Sequence, residues 1–124
     1  MNLVDSCGWL EYLAEGPNAS FFAEPLENID SLIVPPICIL EVFKRILQQR
    51  SQAEALQVAT SMQQGKVIPL DTDLALAAAS LGLRHRLPLA DAVILATAQA
   101  SDAVIWTQDS DFESLGNVKY VVRR

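Results

Sequence analysis

The chain has 124 residues, half of them hydrophobic (51%), and a formal net charge of −6. That is enough sequence for a domain with its own core, without disulfides or structural zinc, and too apolar for a disordered chain. The acidity excludes a basic, salt-driven grip on nucleic acid as the main function, but not an enzyme that reaches nucleic acid through carboxylate-bound cations.

In chain order, Asn2 to Val4 reads as a short strand that ends at Asp5. From Ser6 onward the chain is helical, through Trp9, Leu10, Tyr12 and Leu13, until Gly16-Pro17 stops it, with Asp5 or Ser6 as the cap. A second helix is expected over Ala19 to Asn28, then a strand over Ser31 to Val34, closed by Pro35-Pro36. Ile37 to Gln49 sets Ile37, Leu40, Phe43, Ile46 and Leu47 at helical spacing, with Glu41 embedded among them. Arg50 to Gln64 is a more hydrophilic further helix, ended by Gly65. Val67 to Leu70 is a third strand, and Asp73 to Leu83 an Ala/Leu-rich helix with Asp71 and Asp73 as its caps.

Pro88 fits the first turn of the next helix, which holds Asp91 near its start and runs through Val93, Ile94 and Ala96 to Ala100. Asp102 and Ala103 break it. Ala103 to Trp106 has the length and β-branching of a buried strand, and it leads into the polar turn Thr107 to Asp111, ending in Phe112. Val118 to Val122 is the last strand. Strands alternating with helices predict an α/β fold, with a parallel sheet covered on both faces, in one domain over residues 1–124.

Met1 to Asp5 enters a strand at once rather than a basic and then apolar leader, and Leu74 to Leu83 is about half of the ~20 residues that a membrane span needs. The expectation is a cytoplasmic protein with no membrane contact. Cys7 and Cys38 have no CxxC or Cys/His spacing, which predicts reduced, mostly buried thiols.

In an open parallel sheet, ligands bind outside the carboxyl ends of the strands, where the strand order reverses. Asp5 stands at the first strand's end and Asp109 just past the fourth, and Glu41 and Asp91 sit on helices that can face the same crevice. Four converging carboxylates repel one another unless cations intervene. Hard oxygen donors of this kind suit Mg²⁺ or Mn²⁺. Each acid alone also fits a plainer role: Asp5 and Asp109 as caps, Asp91 as a favourable first-turn acid, Glu41 as a solvent-facing helix residue. Asp30 and Asp102 read as turn acids, and Glu11, Glu15, Glu24, Glu27 and Glu54 as solvated faces. His85, the one histidine, has no second imidazole or triad order beside it.

The combination resembles a family. LVDSCGWL with Asp5, CILEVFKR with Glu41, the LPLADAVILATA helix with Asp91 and the IWTQDSDF turn with Asp109 and Asp111 are similar, in this order, to the PIN domain and in particular to the VapC-type toxin ribonucleases. The resemblance implies a three-layer α/β/α fold around a five-stranded parallel sheet, and a Mg²⁺- or Mn²⁺-dependent endoribonuclease leaving a 5′-phosphate and a 3′-hydroxyl. It further implies a homodimer held inactive by a cognate VapB-type antitoxin, with DNA reached only through that antitoxin. Carried over, Asp5, Glu41, Asp91 and Asp109 match the metal-binding, catalytic acids, and Asp111 a frequent additional acid. Ser6 and Thr107 match supporting hydroxyl positions.

Lys44 and Arg45, one turn beyond Glu41, are candidates for RNA phosphates, or else exposed helix charges. The Arg84-His85-Arg86 cluster is a weaker candidate for RNA or partner contacts. The competing function is a PIN-like binding module that works through its antitoxin complex with little or no catalysis; loss of one of the four acids would favour it. A different α/β phosphohydrolase, suggested by Asp71-Thr72-Asp73, fits less well, because such enzymes place their paired aspartates after the first strand.

Overall fold

The three inner strands are mostly apolar because they are covered on both sides. In the computed structural model, which describes residues 1–124, none of the residues in β1 (Asn2–Val4), β2 (Leu32–Val34) or β4 (Val104–Thr107) is exposed. With β3 (Lys66–Val67) and β5 (Val118–Tyr120) they form one parallel sheet in the order β3-β2-β1-β4-β5. β1 lies at the centre, with Leu3 opposite Ile33 on one side and Ile105 on the other. The chain runs outward from β1 to β3 and then returns to place β4 on β1's free side. The reversal lies between β1 and β4, and a crevice opens at their carboxyl ends.

The helices are α1 (Ser6–Leu13), α2 (Ala19–Leu26), α3 (Pro36–Gln49), α4 (Gln52–Met62), α5 (Thr72–His85) and α6 (Leu89–Ala100). This is the five-stranded parallel α/β fold that the sequence implies. α6 is the most enclosed, with every residue from Ala92 to Thr97 and on to Ala98 buried, as for a helix surrounded on all sides. Thr97 satisfies its hydroxyl within this helix by donating to the Val93 carbonyl at 2.8 Å. α1 comes close to its neighbours at Gly8, where a Cβ would lie 2.6 Å from both Phe22 and Val4. No helix is long and apolar enough to cross a membrane.

The element boundaries differ from expectation for identifiable reasons. β3 covers Lys66–Val67 rather than Val67 to Leu70; Ile68 still donates to Val34, but Pro69 has no N–H with which to continue the ladder. α2 stops at Leu26, two residues after which a 3-10 turn (Ile29–Ser31) takes over, so β2 begins at Leu32 rather than Ser31. Arg50 leaves helical geometry and Ser51 caps α4, accepting from the Glu54 N–H. Asp71 alone caps α5, and Asp73 lies in its first turn. Pro88 occupies the position before the first turn of α6 rather than one inside it. β5 ends at Tyr120, although Val121 still donates to the Thr107 carbonyl at 3.0 Å.

The apolar spacing of α3 needs the largest correction. Cys38 and Val42 are its fully buried residues; of the expected stripe, Ile37 and Ile46 pack against the core, while Leu40 and Leu47 are exposed. Both cysteines are free, Cys38 buried and Cys7 half-buried.

Candidate active site

β1 delivers Asp5 to the crevice as the first residue after the strand. Its Oδ1 accepts the Gly8 N–H at 2.9 Å, which caps α1. Its Oδ2 accepts the Thr107 hydroxyl at 2.5 Å, and the Cys7 thiol lies within donating distance of both oxygens (3.1 and 3.2 Å). Asp5 is 3% exposed, and burial raises its pKa against the lowering pull of these bonds. The Cys7 thiol, buried beside that carboxylate, is pushed up to about 12 and stays a protonated donor.

β4 ends in Thr107, whose hydroxyl also accepts the Asp109 N–H at 2.8 Å. Asp109 in turn caps a 3-10 turn (Ser110–Phe112) by accepting the Asp111 N–H at 2.9 Å. Asp5 and Asp109 are thus both caps, as the plainer reading has it, and both line one crevice. On α3, Glu41 is half-buried and accepts the Ser6 hydroxyl at 2.6 Å, a bond between residues 35 apart in sequence. α6 contributes Asp91 from its first turn.

These side chains share one cavity of about 560 Å³, lined among others by Asp5, Ser6, Glu41, Lys44, Arg45, Asp91 and Asp109. Asp91 and Asp109 also group with Asp111, which is exposed and lies outside the cavity lining, each offering a carboxylate oxygen within 4.8 Å of the others. Asp5 and Glu41 stand in the cavity wall beside that trio. Asp111, expected only as an additional acid, is one of its three members. The Asp91 carboxyl is pushed up to about 7, first by partial burial and then by the Asp109, Asp111 and Asp5 carboxylates.

No cation neutralises the group, since the chain's one ion pair is the remote Arg50–Glu54 at 3.7 Å. Hard oxygen donors, crowded together without a counter-charge, fit a small divalent cation. Lys44 and Arg45 line the cavity without pairing with its acids. Gln48 lies beside them; the helical step of four from Lys44 would have pointed to it. Cys7 also lines the cavity, and its part in holding Asp5 carries no sequence signal. The Arg84 to Arg86 cluster lies outside this cavity, at the end of α5, and His85 lines a separate cleft with Asp102 and Asn117.

No curated protein matches the chain. Among solved structures, a toxin–antitoxin complex from Klebsiella pneumoniae superposes with a TM-score of 0.81 at 21% identity, covering 96% of each chain. VapC20 of Mycobacterium tuberculosis, a toxin that cleaves the sarcin–ricin loop, has a TM-score of 0.79 at 16% identity, covering 95% of this chain and 97% of its own. VapBC2 of Rickettsia felis, bound to promoter DNA, has a TM-score of 0.73 at 11% identity, covering 98% and 97%. At these identities the likeness is one of fold. The family model of the PIN domain matches residues 3–118, a span that takes in every acid of the cavity, and the chain belongs to the PIN domain family.

Proposed function

We propose that the chain is a Mg²⁺- or Mn²⁺-dependent endoribonuclease, the toxin of a VapBC-type toxin–antitoxin module. The observation that carries this reading is the trio Asp91, Asp109 and Asp111, three carboxylates within 4.8 Å of one another and no cation paired with any of them. Asp91, Asp109 and Asp111, with Asp5 and Glu41 beside them, would hold the ion. When bound, it activates water and stabilises charge on a phosphodiester.

The chain's own residues do the rest. Thr107, Cys7 and the Gly8 N–H fix the Asp5 carboxylate, and Ser6 fixes Glu41. Asp91 gives up its proton as positive charge enters the cavity. Lys44 and Arg45 meet the phosphates that flank the scissile one, giving RNA a local hold that the net charge of −6 does not offer elsewhere. Single-stranded loops of structured RNA are the substrates that such a short basic edge accommodates.

Total RNA incubated with the purified chain and Mg²⁺ or Mn²⁺ is expected to give discrete fragments. EDTA or Asp5→Asn should remove them. Undiminished cleavage in EDTA would overturn the reading.

The same reading gives the chain a cognate VapB-type antitoxin, contact with DNA only through it, and a cytoplasmic setting that suits two free thiols. It also makes the chain a homodimer, which would cover apolar side chains now facing solvent on α5 and at the start of α6, namely Leu76, Leu83 and Leu89. Light scattering at micromolar concentration should return twice the 13.6 kDa chain mass. The mass of a single chain would count against it.

A further inference from the structure

The three acids of the trio repel one another, so something other than mutual attraction must fix the turn that carries two of them. Thr107 accounts for one side of that turn. Its other side is held by a residue 90 positions away in sequence.

Gln108 lies between Thr107 and Asp109, and in extended chain its side chain points away from theirs. It is 4% exposed, and its Oε1 accepts from Asn18 Nδ2 at 2.8 Å. Asn18, 3% exposed, also donates from Nδ2 to the Val122 carbonyl at 3.0 Å, so one amide group ties the acid turn to the segment after β5. Asn18 is itself fixed from α1, where Glu11 Oε2 accepts its backbone N–H at 2.7 Å. The same carboxylate lies so close to Gly16 that a Cβ there would come within 2.4 Å of Oε1. Glu11, expected to be a solvated acid, is therefore the anchor of this loop.

We infer that Asn18 and Gln108 are positioning residues for the ion-binding acids: their buried amide pair clamps the Thr107–Asp109 turn from behind and sets Asp109 and Asp111 against Asp91. Breaking the pair leaves a buried amide group of Gln108 or of Asn18 unpartnered, which the turn relieves by swinging residue 108 towards water. Asp109 moves with it. Groups that orient metal-binding residues in this way typically control affinity by about 10- to 100-fold.

The inference rests on the metal-nuclease reading above, and its test keeps the two apart. Mn²⁺ affinity is measured by calorimetry on the full chain, on Asn18→Ala, on Gln108→Met and on the double variant, all well below their melting temperatures. Each single variant is expected to bind Mn²⁺ about tenfold more weakly, and the double variant no more weakly than either. Raising Mn²⁺ should restore their RNA cleavage. Lower melting temperatures with unchanged Mn²⁺ affinity would make the pair merely structural and overturn the inference alone. No Mn²⁺ binding by the unmodified chain would overturn the function reading itself. If Asn18→Ala fails to fold, Gln108→Met decides, because it nearly keeps the buried volume while removing the amide that pairs with Asn18.

Discussion

In the absence of divalent cations, Asp91→Asn is expected to melt on the order of 5–10 °C above the unmodified chain at pH 8 and at nearly the same temperature at pH 4. The folded-state pKa of Asp91 is raised from 3.8 to about 7, so between those values the native state keeps a proton that the unfolded chain has released. Stability therefore falls as pH rises through that window and stays low above it. Undamped, the shift corresponds to about 4 kcal/mol. The carboxyl is only partly buried, and solvent screening brings this to about 2 kcal/mol.

Asp5, raised in the same direction, leaves a residual slope of the same sign in the variant. Mn²⁺ should reverse the order at pH 8, because binding stabilises only a chain that can bind. RNA cleavage by Asp91→Asn should drop by about 10²-fold or more, since the loss falls on the group that holds the charge. Scanning calorimetry at the two pH values, with and without Mn²⁺, and a cleavage assay provide the readouts. Equal melting temperatures at pH 8 together with full cleavage would remove Asp91 from the site.

Much of this arrangement can be read in the sequence, because it follows from local rules. Asp5 and Asp109 are legible as acids at strand ends, since a buried strand is marked by its apolar run and the acid by ending it. Asp91 is legible as an acid set in the first turn of a helix that is otherwise buried. Sequence reasoning weighed capping and metal roles for Asp5 and Asp109, and the capping bond is seen in both. Asp5 caps α1 with one oxygen and takes the Thr107 hydroxyl on the other.

What is not legible depends on chain separation. Nothing near Glu41 announces the Ser6 hydroxyl, and nothing near Gln108 announces Asn18. α3 misleads in part for another reason: of its regular apolar stripe, Ile37 and Ile46 pack against the core beside buried Cys38 and Val42, yet Leu40 and Leu47 face solvent. A period identifies a stripe. It does not say whether the stripe meets the chain's own core or a partner.

Thr107→Val should lose about 2–3 kcal/mol of stability and most of the cleavage, whereas Thr107→Ser should keep both to within about 1 kcal/mol. The residue is fully buried at the end of β4, where valine has the same shape and an equal preference for strand, so the hydroxyl is the one thing removed. That hydroxyl donates to Asp5 Oδ2 and accepts the Asp109 N–H, joining the two acids that flank the strand-order reversal. Without it, a buried carboxylate oxygen and a backbone N–H are both left without their partner, and the cost is that of leaving them so rather than of one average bond.

The effect has a sign in pH as well. The Thr107 bond lowers the Asp5 pKa against burial, so its loss moves that pKa further up and leaves less carboxylate at neutral pH. Cleavage by Thr107→Val should accordingly rise with pH along a profile displaced towards the alkaline side, with weaker Mn²⁺ binding at pH 7 than at pH 9. Urea unfolding gives the stability difference, and a pH–rate series on both variants gives the displacement. A valine variant with an unchanged unfolding midpoint and an unshifted profile would mean that Asp5 is held by the Gly8 N–H and Cys7 alone.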